Sequence, residues 1–347
     1  MIPISNIAVE KERNEKENWR TILSRSRISR ESLFQRLGLD NNCTSASAAD
    51  CSEQNAESLF PLVVPEPYLQ KIQVGNLNDP LLLQVLPQTK EFLNVNGFIE
   101  EPLAEQDFSP VPGLIHKYKS RVLLIATQSC AIHCRYCFRR NFPYSDHRNS
   151  QESWQLSLDY IAKHEEINEV ILSGGDPLVM SDKALNRLIT QVDEIKHIRR
   201  IRIHTRLLPA LPQRVTNELL DIFKNRRCRL IVVSHCNHAQ ELGEDVANAL
   251  ARLHSQGIQL LNQSVLLKGV NDDARALATL SESLWELNVQ PYYLHLLDKV
   301  SGAAHFDIGE QEAHKIYKCL LALLPGFLVP KLVLESPGER SKTPVSL

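Results

Sequence analysis

The chain has 347 residues, of which 23% are charged and 43% hydrophobic, and its formal net charge is −2. This is ordinary globular composition without an overall field that would draw in nucleic acid or anionic lipid, so partners must be read from local features. No basic start leads into a long apolar run, and no window approaches eighteen uninterrupted apolar residues, which predicts a cytoplasmic protein with no membrane partner. Three of the eight cysteines crowd into one short loop, which suits reduced thiols available to metal better than a disulfide framework.

The first residues are polar and charged, and 41–57 (NNCTSASAADCSEQNAE) is poor in core formers, so both read as surface segments. Trp19, Ile22, Leu23, Leu33 and Leu37 suggest short helices, and the apolar runs of 61–86 are broken by prolines. Residues 1–115 therefore read as a mainly helical N-terminal cap. From Arg121 onward, short aliphatic runs alternate with amphipathic stretches; the candidate strands are 122–127, 169–173, 201–205, 230–235, 258–267 and 289–297. After the fourth of these, Val246, Ala249, Leu250 and Leu253 fall at i, i+3, i+4 and i+7, one helical stripe turned to a core. Six strand-then-helix units imply an α/β fold with a parallel sheet.

Periodicity does not separate an open sheet from a partial barrel, but the polar residues favour the latter. The first candidate strand runs into the cysteine loop, the second into Ser173-Gly174-Gly175-Asp176, the third into His204-Thr205-Arg206 and the fourth into Ser234-His235-Cys236-Asn237-His238. The fifth carries Asn262-Gln263-Ser264, and the sixth ends in His295-Leu296-Leu297-Asp298-Lys299. The C-terminal ends of parallel barrel strands share one face, where active sites form, so the expected architecture is a partial (β/α)6 TIM-like barrel over 116–330, followed by a short C-terminal segment, 331–347.

Cys130-Ala-Ile-His-Cys134-Arg-Tyr-Cys137 places three thiols within eight residues. They can hold three corners of a [4Fe–4S] cluster and leave the fourth iron open. A structural zinc completed by His133 is the alternative, although no second cysteine pair accompanies the loop. Cys43, Cys51, Cys228, Cys236 and Cys319 read as incidental thiols. Gly174 and Gly175 let backbone approach a ligand, and a plain strand-to-helix turn explains them equally well.

CxxxCxxC resembles the signature of the radical S-adenosylmethionine superfamily. The resemblance implies that the open iron chelates S-adenosylmethionine, that Tyr136 lies beside its adenine, and that Gly174, Gly175 and Asp176 approach its methionine part. His116-Lys117-Tyr118-Lys119-Ser120-Arg121 and Cys137-Phe138-Arg139-Arg140 narrow this further, being similar to lysine 2,3-aminomutases. Leu261 to Leu267, Tyr292-Tyr293-Leu294-His295, Gly302-Ala303-Ala304-His305-Phe306 and Ser341-Lys342-Thr343-Pro344 continue the match from about Pro61 to the C-terminus. Within that family the chain is most similar to the short bacterial form that supplies β-lysine for modifying elongation factor P.

The family resemblance brings pyridoxal 5′-phosphate, with Lys342 as its Schiff-base lysine and Lys117, Tyr118, Arg121 and Gln263 around its phosphate. It also brings L-lysine as substrate, Arg139 on the carboxylate, and Asp298 with a second acid on the ε-ammonium. Counting back from Lys342, that second position holds Glu335 in place of the family's aspartate. The chain ends five residues after Lys342, without the cysteine-containing tail of clostridial-type aminomutases, so neither their zinc nor their tetramer is expected.

The reaction so implied is radical conversion of (S)-α-lysine to (R)-β-lysine, an isomerase activity that needs an electron donor. It links the protein functionally to elongation factor P and its lysine ligase. Two other readings remain open at this point: the same chemistry on another amino acid, and a non-catalytic cluster or zinc protein binding a translation partner. Arg226-Arg227-Cys228-Arg229 and Arg199-Arg200 are short basic clusters, but they read as solvated helix faces with no aromatic stacking platform beside them, so no nucleic acid is expected.

Overall fold

In a computed structural model, residues 18–39, 60–141 and 151–346 are described. Nine strands form one sheet in simple chain order. They are β1 (Leu114–Tyr118), β2 (Arg121–Thr127), β3 (Glu169–Gly174), β4 (Arg200–Thr205), β5 (Arg229–His235), β6 (Gln259–Val265), β7 (Gln290–His295), β8 (Lys331–Leu334) and β9 (Thr343–Pro344). From β2 to β8 every pairing is parallel, and β1 and β9 add to the two edges antiparallel. The sheet joins with no ladder between its edges, but Tyr118 on β1 hydrogen-bonds Glu335 just beyond β8 at 2.7 Å. The sheet thus curls until its edges meet through side chains, which is a partial barrel.

All six candidate strands are present, each followed by a helix. The crossovers hold α3 (Gln151–Lys163), α4 (Asp182–Asp193), α5 (Asn217–Phe223), α6 (Glu244–His254), α7 (Ala274–Glu286) and α8 (Glu310–Leu323), after α1 (Trp19–Ser24) and α2 (Arg30–Arg36) in the N-terminal region. Local chemistry explains where several begin: Ser181 caps α4, Thr216 caps α5 and Asp273 caps α7 by accepting from exposed N–H groups of the first turn. The α6 stripe of Val246, Ala249, Leu250 and Leu253 is buried as its spacing requires. Three strands lie beyond the six: β1 and β9 are short pieces at the two edges, and β8 extends the parallel run between β7 and β9.

Period-two alternation sorts the strand side chains. On β4, Ile201 and Ile203 are buried in the main core between sheet and helices, whereas Arg202 and His204 face inward. On β6, Leu260 joins that core while Gln263 and Val265 line the interior. The main apolar core is therefore the layer outside the barrel, and the barrel's inside sets polar and charged side chains among apolar ones.

A separate cluster of Leu33, Phe34, Leu62, Tyr68, Leu81 and Leu82 includes Ile132 of the cysteine loop and Ala210. It seats the N-terminal region over the C-terminal ends of the strands. The Arg226–Arg229 cluster is structural: Arg227 donates to the carbonyls of Asp193, Ile195 and Ile198 at the end of α4, and Arg226 to Thr190. Arg200 pairs with Glu169. Among the described residues no helix is long and apolar enough to cross a membrane. Cys43, Cys51 and the polar stretch 41–57 lie outside the described residues.

Candidate active site

The curled sheet encloses a cavity of about 550 Å3. Arg121 opens β2 and Thr127 ends it, so the cavity runs roughly 20 Å from the strand starts to the cysteine loop. Cys130, Cys134, Cys137, Tyr136, Arg139, Gly174, Gly175, Asp176, Lys117, Tyr118, Arg121, Gln263, Asp298, Glu335 and Lys342 all line it. Residues separated by more than two hundred positions in sequence share one space.

The cysteine loop leaves β2 and is pinned from behind. Buried Ala131 and Ile132 anchor its start. Arg135, fully buried, donates to both oxygens of Glu91 at 2.9 and 2.5 Å, and Arg140 reaches the same carboxylate at 2.6 Å. Asn237 donates to the Tyr136 hydroxyl at 2.7 Å, fixing that ring against Phe306. Burial pushes the Cys130 and Cys134 thiols up and takes Cys137 to about 11. Thiolates at this place need metal as their counter-charge, which suits the site to a cluster. Among the described residues no three His, Cys, Asp or Glu side chains converge on a single-ion site.

The two glycines have a different immediate reason than ligand approach. A Cβ on Gly174, whose φ is +105°, would stand 2.6 Å from Ile125 Cγ2 and 2.7 Å from the Thr127 carbonyl oxygen. One on Gly175 would stand 2.3 Å from the carbonyl oxygen of Ser129. What they make room for is the end of β2 and the start of the cysteine loop, whose Thr127 and Ser129 carbonyls accept from the N–H groups of Gly175 and Asp176 at 2.7 and 2.8 Å. Asp176 is saturated: it accepts from Thr205 Oγ1 and from the N–H groups of Leu178, Arg206 and Leu207. Burial lifts it to about 6 against those donors.

Glu335 and Lys342 meet because of register. Leu334 pairs with Thr343 in the antiparallel β8–β9 ladder, so the next residues outward are opposite each other. Glu335 binds the Lys342 ammonium, accepts from Tyr118 at 2.7 Å, and lies 3.5 Å from Lys117 Nζ. Burial alone would raise the Glu335 carboxyl, but Lys342, Tyr118 and Lys117 hold it at about 2. Lys117 also donates to the Ser336 carbonyl at 2.7 Å, and Arg121 stacks over the Tyr118 ring at 4.2 Å.

Asp298 behaves oppositely. Burial raises it to about 7 in spite of Lys342, and its Oδ1 is buried without a hydrogen-bond partner among the described residues. Gln263 contacts His235 at 2.7 Å.

Several lining residues were not assigned a role from sequence. His204, His235 and His295 end three strands and point into the cavity; burial depresses all three, His235 to about 3, so they are neutral. The ring nitrogens Nε2 of His204 and His295 are buried without hydrogen-bond partners among the described residues. Arg202 pairs with Glu169 near the strand starts. Inward register on strands already assigned was the signal that would have found them.

Residues 124–280 match the radical SAM superfamily. The chain is 47% identical over 329 residues to the L-lysine 2,3-aminomutase of Haemophilus influenzae, covering 95% of this chain and 96% of that one. It is 46% identical to the L-lysine 2,3-aminomutase of Escherichia coli, covering 96% and 95%. The chain belongs to the lysine 2,3-aminomutase family of radical SAM enzymes. It is 37% identical to the L-lysine 2,3-aminomutase of Clostridium subterminale over 84% of this chain and 70% of that relative. This family is one of isomerases, and its cofactors are a [4Fe–4S] cluster, S-adenosylmethionine and pyridoxal 5′-phosphate.

The cavity brings together three thiols on one loop, a lysine amine with cationic neighbours, and buried polar atoms of Asp298, His204 and His295 that have no hydrogen-bond partner among the described residues.

Proposed function

We propose that this protein is a pyridoxal phosphate-dependent L-lysine 2,3-aminomutase converting (S)-α-lysine to (R)-β-lysine. The observation that carries the reading is the sharing of one cavity by the Cys130–Cys134–Cys137 loop, Arg139, Asp298, Glu335 and Lys342. Cys130, Cys134 and Cys137 would hold the cluster, with Tyr136 beside the adenine of S-adenosylmethionine, and Gly174 and Gly175 near its methionine part. Asp176 fits an organising part there, since its oxygens are engaged by the ends of β3 and β4. Lys342 is the amine for the pyridoxal carbonyl, with Lys117, Tyr118, Arg121 and Gln263 toward the phosphate.

Bound together, these groups supply a primary carbon radical for hydrogen removal and a carbonyl carbon to carry the migrating nitrogen. The chain's own part is binding, orientation and exclusion of water. Arg139 suits bidentate recognition of the substrate carboxylate. At the other end of the substrate, Asp298 has an oxygen without a hydrogen-bond partner among the described residues, suited to the ε-ammonium, and Glu335 is the second acid for that ammonium. Among the described residues, none is assigned as a general base for the migration.

Anaerobic protein reconstituted with iron and sulfide is expected to form β-lysine from L-lysine when given S-adenosylmethionine, pyridoxal phosphate and a reductant. Chiral chromatography of the product tests both the reaction and its stereochemistry; absence of β-lysine sinks the proposal. We further infer a role in supplying β-lysine for elongation factor P modification. The near-complete mutual coverage with the two shorter relatives, against 70% of the clostridial one, supports it. Loss of β-lysyl mass from elongation factor P in a deletion strain, restored by added β-lysine, is the expected result.

A further inference from the structure

Arg139 carries a long side chain that loses rotamer freedom when it is fixed. Something must fix it if it is to recognise a carboxylate by geometry, and the structure shows what does. Its Nε donates to Glu105 Oε2 at 2.8 Å, its Nη2 to Glu105 Oε1 at 2.6 Å, and its Nη1 to Ser173 Oγ at 3.2 Å. The Arg139 and Glu105 side chains are only 7% and 14% exposed, so solvent screens the pair weakly. Glu105 comes from the N-terminal region and begins a single 3-10 turn, Glu105–Phe108.

The backbone is bent to deliver it. Ala104 sits at φ 46°, a left-handed conformation that is unfavourable for a residue with a Cβ. The other acids of this segment, Glu100, Glu101 and Asp107, are exposed. Glu105 alone among them turns into the cavity wall.

We propose that Glu105 is a positioning residue for substrate recognition: by gripping the Nε–Nη2 edge of Arg139, it presents the Nη1–Nη2 edge to the carboxylate of the amino-acid substrate. The inference rests on the reading of Arg139 as the carboxylate receptor. It makes the N-terminal region part of substrate selection although that region holds none of the cluster or pyridoxal residues before Lys117.

The test is equilibrium binding of lysine and of lysinamide, which keeps both amines but lacks the carboxylate, to unreduced enzyme loaded with cluster, S-adenosylmethionine and pyridoxal phosphate. Both ligands are measured on the same preparation, so any unfolded fraction cancels from their affinity ratio. Arg139→Lys is expected to reduce the preference for lysine about tenfold, and Glu105→Gln by a similar factor. Glu105→Asp shifts the ratio in the same direction by less, and serves where Glu105→Gln fails to fold. Added to Arg139→Lys, Glu105→Gln should change the ratio no further.

An unchanged ratio in the Glu105 variants, with Arg139→Lys still effective, overturns the proposal and spares the carboxylate reading. Tighter lysine binding in Glu105→Gln overturns it too, because Glu105 would then compete with the carboxylate. An unchanged ratio in Arg139→Lys itself removes the carboxylate reading and this inference with it.

Discussion

At the cysteine end of the cavity the three thiols, Tyr136 and Arg139 come from one loop of ten residues, clamped from behind by Glu91 through Arg135 and Arg140. At the other end, Lys117 and Tyr118 come from one edge of the sheet, and Glu335 and Lys342 from the opposite edge. The first end is a local structure that needs a buried ion pair to hold its shape. The second exists only when the barrel has curled far enough for its edges to touch. One end can therefore be lost without the other.

The largest effects should separate the two ends cleanly. Cys134→Ala is expected to abolish cluster absorbance and aminomutase activity while leaving borohydride-trapped pyridoxal on Lys342, read by mass spectrometry of the tryptic peptide. Lys342→Ala should also reduce activity to background, but with iron content unchanged. Loss of iron in Lys342→Ala would show that the ends are coupled after all.

Glu91→Gln probes the clamp. The side chains of Arg135 and Glu91 are 0% and 2% exposed, so neutralising Glu91 leaves buried cations without their counter-charge. Breaking such a pair costs about 3–5 kcal/mol. A lowered urea midpoint and poorer iron retention are expected, with no change in the borohydride-trapped pyridoxal of the protein that remains folded.

The smallest effect concerns Asp298. Its carboxyl, raised by burial to about 7, is protonated on the acid side and must ionise to pair with an ammonium. Lysine affinity should therefore strengthen as pH rises through about 7, and Asp298→Asn should flatten that dependence. In stability the sign is reversed: the raised value favours the fold at low pH, and this contribution is lost as pH rises through about 7. Urea midpoints of the two proteins across that range measure it.

These differences also explain what could be read in advance. The six strands with following helices were legible because each carries its own apolar pattern and turn. The edge strands were not, because β9 spans two residues and owes its existence to β8. Gly174 and Gly175 were visible as a motif, whereas the reason for them, the backbone of Ser129 pressing close, was not. Glu105 and Glu91 give no signal in the sequence, since a single carboxylate carries no periodicity and its partner lies some thirty to fifty positions away.

The sequence by itself determined the three-cysteine loop, the strand and helix alternation and, through shared motifs, the family, because these are properties of short contiguous segments. Only the tertiary structure decided that Lys342 meets Glu335, that Arg139 is gripped by Glu105, and that neutral histidines line the interior. Those outcomes depend on sheet curvature and strand register, which bring together side chains that neither local spacing nor composition relates.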